Sequence, residues 1–225
     1  MSQGMKYAVD IVLCIDTTGS MSPIIDEVKD AALRFHNDLG ALMSEKSRTI
    51  DTLRVKVISF RDYWADGPSK AMSESGFFTL PDEQDKFSKF VQDCSADGGG
   101  DEPENGLESL ALAIRSDWSK TGDKRRQLIV VWTDASAHPL DKAPKPSGYP
   151  SDLPKNLDDL TDMWEGQSSF VSKAGKRLII YAPDADPWTH IANNWENAIH
   201  FASKAGDGLA EVTYKEILNA IANSV

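Results

Sequence analysis

At 225 residues, 40% hydrophobic and 26% charged, the chain is long enough for one α/β domain with a full core and short for two, so residues 1–225 read as a single domain. A formal charge of −11 argues against a nucleic-acid partner, which selects for clustered Lys and Arg; the one compact basic run, Lys124-Arg125-Arg126, reads as a solvated strand entrance. No window approaches the roughly 20 consecutive apolar residues of a membrane span, and Met1 to Lys6 form no apolar signal core, so the expectation is a cytoplasmic protein without a membrane partner.

Strands and helices alternate along the chain. Tyr7 to Ile15 is apolar except for Asp10, the mark of a strand covered on both faces. It contains Cys14, one of only two cysteines; with Cys94 these are too few for a disulfide framework and fit a reducing compartment. Ser22-Pro23 predicts a capped helix start, and Ile25, Val28, Ala32, Phe35 and Leu39 carry the helix to about Leu42. Leu53 to Phe60 alternates and predicts a second strand nearer an edge; Gly76 to Leu80 predicts a short third one. Helices are expected from Pro81-Asp82 through Val91 and from Pro103 to Trp118. Gln127 to Thr133 reads as a second fully buried strand, and Ala135 to Leu157, rich in Pro, Gly, Lys and Asp, as a long surface excursion. A helix over Asp158 to Lys173, a strand over Arg177 to Tyr181, a helix over Trp188 to Glu196, a short strand over Ala198 to Ala202 and a helix over Tyr214 to Ala222 complete the pattern. The class is α/β: a doubly wound, mostly parallel six-stranded sheet, helices on both faces, and one short antiparallel edge strand.

In such sheets ligands bind beyond the carboxyl ends of the strands. Three polar clusters belong there. Asp16-Thr17-Thr18-Gly19-Ser20 follows the first strand, and its alternate positions turn one carboxylate and two hydroxyls toward a common point, with Gly19 permitting the tight backbone. Gly98-Gly99-Gly100-Asp101-Glu102-Pro103-Glu104 is a flexible loop ending in acids at a helix start. Thr133-Asp134-Ala135 ends the second buried strand. Each has a plainer reading: Asp16 as a helix cap, Asp101 and Glu104 as helix N-terminal charges, Asp134 as a turn residue. Taken jointly they offer only oxygen ligands, which suits Mg²⁺, with Mn²⁺ or Ca²⁺ as alternatives, and not zinc.

The pattern Asp16-x-Thr18-x-Ser20, the Gly-Gly-Gly-Asp-x-Pro-Glu loop and the strand ending Thr133-Asp134 together resemble the von Willebrand factor type A (vWA) domain. The first element is similar to that family's metal-ion-dependent adhesion site (MIDAS) motif, Asp-x-Ser/Thr-x-Ser. Asp-Thr-Thr-Gly-Ser-Met, the strand end at Arg61-Asp62-Tyr63 and the glycine loop resemble the intracellular type found beside alpha-kinases. The resemblance implies a Rossmann-like fold. It implies that Thr18 and Ser20 bind the metal directly, that Asp16 and Asp134 hold it directly or through water, and that an open position takes an acidic side chain of a partner protein. Binding there is adhesion, not catalysis. It also implies an adaptor or scaffold role, for instance in a bacterial stress or defence assembly.

This chain departs from adhesive members at the second loop, where Asp101 stands for their threonine. Three ionised acids facing a 2+ ion should bind the metal more tightly and leave it less eager for a partner's carboxylate. Asp62, Glu104 and His138 are expected as partner contacts or as supports behind the ligands; Trp64, in a polar loop, reads as packing or as an exposed partner anchor. The competing reading is an Mg²⁺-dependent phosphoryl-transfer enzyme resembling the haloacid dehalogenase group, with Asp16 as nucleophile and Thr121-Gly122-Asp123 and Gly206-Asp207-Gly208 echoing later motifs. That group's soluble members place a second Asp where this chain has Thr18.

Overall fold

β1 (Lys6–Asp16) is the central strand, and its side chains alternate between two cores. Val9, Ile11, Leu13 and Ile15 face one core, Val12 and Cys14 the other, and all six are buried. The computed structural model describes residues 6–100, 102–166, 170–207, 209 and 211–225. After β1 come a single 3-10 turn (Gly19–Met21), α1 (Ser22–Ala32), α2 (Phe35–Glu45), β2 (Thr49–Phe60), α3 (Pro68–Ala71), β3 (Met72–Glu74), β4 (Phe78–Leu80) and α4 (Gln84–Asp93). The second half contributes α5 (Gly106–Ile114), β5 (Lys124–Trp132), α6 (Leu157–Glu165), β6 (Lys176–Pro183), α7 (Trp188–Asn194), β7 (Ala198–Ser203) and α8 (Tyr214–Ser224).

The sheet has seven strands in the order β3-β2-β1-β5-β6-β7, with β4 also paired to β2. β2, β1, β5, β6 and β7 run parallel, while β3 and β4 both pair antiparallel with β2. Two short antiparallel strands therefore share the outer edge of β2 where one was expected, and the sheet has seven strands where the pattern predicted six. Met72–Glu74 has no strand signature of its own; pairing with β2 makes it one. Helices α1, α2, α4 and α8 cover one face, and α5, α6 and α7 the other. The chain builds outward from β1 to β2, then crosses to β5 on the opposite side. The carboxyl ends of β1 and β5 thus border the point where strand order reverses.

Several boundaries move for physical reasons. The first helix is broken at Leu33–Arg34, which lets Phe35, Leu39 and Met43 turn into the same core as Ile24, Ile25 and Val28. Ser22 is not a cap: it is the first residue of α1, and its hydroxyl donates to the Gly19 carbonyl at 3.1 Å. α5 starts at Gly106 because Glu104 bridges in parallel to Ala137, and it ends at Ile114, whose carbonyl accepts from the Trp118 indole N–H at 2.9 Å. α6 stops at Glu165, with residues 167–169 outside the described set. The segment after β5 is more than a surface excursion: Ala135, Ala137, His138, Leu140 and Leu153 are all buried.

Candidate metal centre

Asp16 closes β1 with its side chain fully buried. One carboxylate oxygen accepts from the Thr18 backbone N–H (2.9 Å) and from the Thr18 hydroxyl (2.6 Å). This two-residue turn is the conformation that a short acid at a strand end favours. The other oxygen accepts from the Thr133 hydroxyl (2.6 Å), at the end of β5. Burial pushes the Asp16 carboxyl up to about 6; the hydrogen bonds from Thr133 and Thr18 oppose that, and the charge of Asp134 adds to it. The Ser20 hydroxyl donates to Asp134 at 3.0 Å, tying the loop after β1 to the loop after β5.

The glycine loop lies against these residues. Gly19 N–H donates to the Gly98 carbonyl at 3.3 Å, and Asp97 N–H to the Thr17 carbonyl at 3.1 Å. Gly99 adopts φ +80°, and a Cβ there would stand 2.8 Å from the Thr18 methyl, so only glycine lets the two loops close together. Both Asp66 oxygens accept from the Gly99 N–H (3.1 and 3.3 Å). Asp101 lies outside the described residues.

Glu104 packs beneath the loop, 4% exposed, with one carboxyl oxygen buried and without a hydrogen-bond partner among the described residues. Burial and the neighbouring charges of Asp16, Asp62, Asp66 and Asp134 push its carboxyl up to about 9, so it is neutral at pH 7. Asp62 and His138 form a buried pair: Asp62 Oδ1 lies 3.3 Å from His138 Nε2 and accepts the Trp64 N–H at 2.9 Å. Burial lowers the His138 pKa against the pull of Asp62, with Lys142 adding to the lowering. The His138 side chain is buried. Trp64 is half-buried, its indole N–H donating to the Pro144 carbonyl (3.1 Å), its ring 4.9 Å from that of His138 and capped by the Lys142 ammonium at 4.1 Å. It is walled in by the 135–157 segment instead of standing free.

Asp16, Thr18, Ser20 and Asp134 thus converge at the switch point, with Glu104, Asp62 and His138 around them. The donor set fits a hard cation: carboxylate and hydroxyl oxygens, crowded by like charges, and no Lys or Arg paired with Asp16 or Glu104 among the described residues. Among the described residues no three of His, Cys, Asp and Glu stand together as a ready cage. Sequence reasoning had no signal for Asp66, an ordinary loop acid, nor for the Trp188 indole, which donates to the Ala135 carbonyl (3.0 Å) and steadies the loop after β5. Asp123 of Thr121-Gly122-Asp123 precedes the first residue of β5, at the opposite end of the sheet from Asp16; Gly208 of the other echo lies outside the described residues.

The fold is the doubly wound, Rossmann-like arrangement of the vWA domain. Aligned on the pilus adhesin SpaC of Lactobacillus rhamnosus GG, 96% of the chain matches with a TM-score of 0.57 at 12% identity, covering 30% of the adhesin chain. That likeness establishes the fold alone. Over 154 residues, 68% of its length, the chain is 25% identical to alpha-protein kinase vwkA of Dictyostelium discoideum, a match covering 23% of that protein. The chain therefore spans less than a third of either protein's length. No protein-family model matches it. Among the described residues no helix is long and apolar enough to cross a membrane.

Proposed function

We propose that residues 1–225 act as one vWA domain of the intracellular type, a cytoplasmic adaptor that binds another protein at or beside a divalent-cation site. The observation that carries this reading is the frame around Asp16, where a fully buried carboxylate and the Ser20–Asp134 pair bring oxygens from two strand ends to one point. Asp16, Thr18, Ser20, Asp101 and Asp134 would hold the ion, for which Mg²⁺ is the first choice and Mn²⁺ or Ca²⁺ the alternatives. When bound, the ion supplies a coordination position to an oxygen-bearing side chain of a partner. The intracellular type is proposed from the sequence motifs, alongside a weak likeness to a protein named as an alpha-kinase. Two free cysteines are in keeping with a reducing compartment.

The non-catalytic reading is favoured over phosphoryl transfer by the place of the later motif: Asp123 precedes β5, at the opposite end of the sheet from Asp16, too far to join it in one reaction centre. The test is calorimetry with Mg²⁺, Mn²⁺ and Ca²⁺ on the wild type, Asp16→Ala and Asp101→Thr. Binding should vanish in the first variant and weaken in the second. Wild-type affinity in Asp16→Ala would sink the site, and tighter binding by Asp101→Thr would refute the role given to the third acid. Phosphatase turnover lost in Asp16→Asn would favour the enzyme instead.

A further inference from the structure

On the other side of the loop after β1 lies a cavity of about 420 Å³, bordered by the end of β2, by α3 and β3, and by the end of α4. Arg61, Lys70, Thr17, Ser59, Ser73 and Ser95 line it. Arg61 is 9% exposed and firmly placed: its N–H donates to the Ala71 carbonyl (2.8 Å), and its carbonyl accepts from Asn105 N–H (3.1 Å). Its guanidinium donates to the Thr17 hydroxyl (3.3 Å) and to the Ser95 carbonyl (2.8 Å). Among the described residues it has no ion pair, and its Nη1 donates no hydrogen bond. Asp66, across Gly98, directs its oxygens to the N–H groups of Gly99 and Asp62 instead. Asp66 is thus near the guanidinium without bonding to it; a buried guanidinium that makes no direct ion pair is costly, and its remaining N–H groups seek an acceptor.

The cavity supplies the rest of an anion site. Ser59 of β2 and Ser73 of β3 are direct cross-strand partners, which puts their side chains next to each other on one face. Neither hydroxyl bonds to a described residue. Lys70 has no ion pair among the described residues and adds a second positive charge at the rim. Asp93 and Asp97, both exposed, also border the opening, and Asp93 is paired with Lys89 at 3.0 Å.

We propose that this cavity binds a phosphomonoester dianion, with Arg61 and Lys70 supplying charge and Ser59, Ser73 and Ser95 supplying hydroxyl donors. Two cations and three hydroxyls exceed what the two oxygens of a carboxylate can accept, and they match a tetrahedral group with three free oxygens. The rim acids Asp93 and Asp97 repel any anion, and an extended polyanion such as a nucleic-acid backbone more than a single phosphoryl group seated between Arg61 and Lys70. That group can be carried by a small molecule or by a phosphorylated side chain of a protein.

The proposal stands apart from the metal reading, so its test is run in chelator. ¹⁵N-labelled protein at constant ionic strength is titrated with inorganic phosphate, with O-phosphoserine, and with one serine peptide in phosphorylated and unphosphorylated form. Every phosphorylated probe should shift the amides of Arg61, Ser73 and Ser95, and the unphosphorylated peptide should leave them in place. Tighter binding of the phosphopeptide than of O-phosphoserine identifies a protein-borne ligand; the reverse order identifies a small molecule. Lys70→Glu and Ser73→Asp, both at exposed positions, should each weaken binding by about tenfold or more, and Arg61→Gln by at least as much. If Arg61→Gln fails to fold, the two surface variants decide. Absence of shifts at these amides with inorganic phosphate and the phosphopeptide, or affinities unchanged in both surface variants, overturns the proposal.

Discussion

Burial above all, with the charge of Asp134 behind it, drives the Asp16 carboxyl toward its neutral form, and the donors around it resist. Thr133 is the one that reaches it from another strand, at 2.6 Å. Thr133→Val keeps the shape and removes the donor, leaving a buried carboxylate oxygen without that partner. The metal-free protein should lose about 1–3 kcal/mol in urea unfolding. A variant as stable as the wild type would show that the Thr133 bond contributes nothing. At this scale the alternate spacing of Asp16, Thr18 and Ser20 was legible, because a strand-to-loop turn translates sequence spacing directly into direction. The Asp62–His138 pair was not, since its members come from segments far apart in the chain and meet only through packing.

α5 illustrates what changes at the scale of an element. Its apolar stripe, Leu107, Leu110, Ala111 and Ile114, was plain in the sequence, yet Glu108 is also fully buried. The cause is the 135–157 segment folding over the helix, with the Tyr149 hydroxyl donating to Glu108 at 2.6 Å. Burial raises the Glu108 pKa above its ordinary value. An acid raised on folding binds its proton more tightly in the folded state, so its contribution to stability is complete below the unfolded value of about 4.3 and declines as pH rises toward the folded value. Urea midpoints of the wild type should therefore fall across that window relative to those of Glu108→Gln, which has no proton to lose. Parallel curves for the two proteins would mean that Glu108 keeps its ordinary affinity for the proton. The same segment shows why loops read poorly: its Pro and Gly content announces irregular backbone and says nothing about which surface it covers.

For the whole molecule, a cation held as proposed between the loops after β1 and β5 would bind only the folded chain and would therefore stabilise it. At a hundredfold excess over its dissociation constant, Mg²⁺ should add about 2.7 kcal/mol, or roughly 5–11 °C in Tm for a chain of this size. Differential scanning fluorimetry with and without EDTA reads this directly. Asp16→Ala should melt at one temperature in both conditions, and a wild type indifferent to saturating Mg²⁺ would contradict the site.

The doubly wound class, the two buried strands β1 and β5 and the placing of polar clusters after them followed from the sequence alone. Apolar periodicity records burial along each element, and a strand covered on both faces can only be central. Strand order, the second antiparallel partner of β2, the break between α1 and α2 and the enclosure of His138, Trp64 and Glu108 were decided by tertiary structure. Each depends on which surfaces meet, and local sequence encodes what a segment buries, not what buries it. The same distinction separates the two polar sites: spacing announced the one around Asp16, whereas packing alone gathered the lining around Arg61.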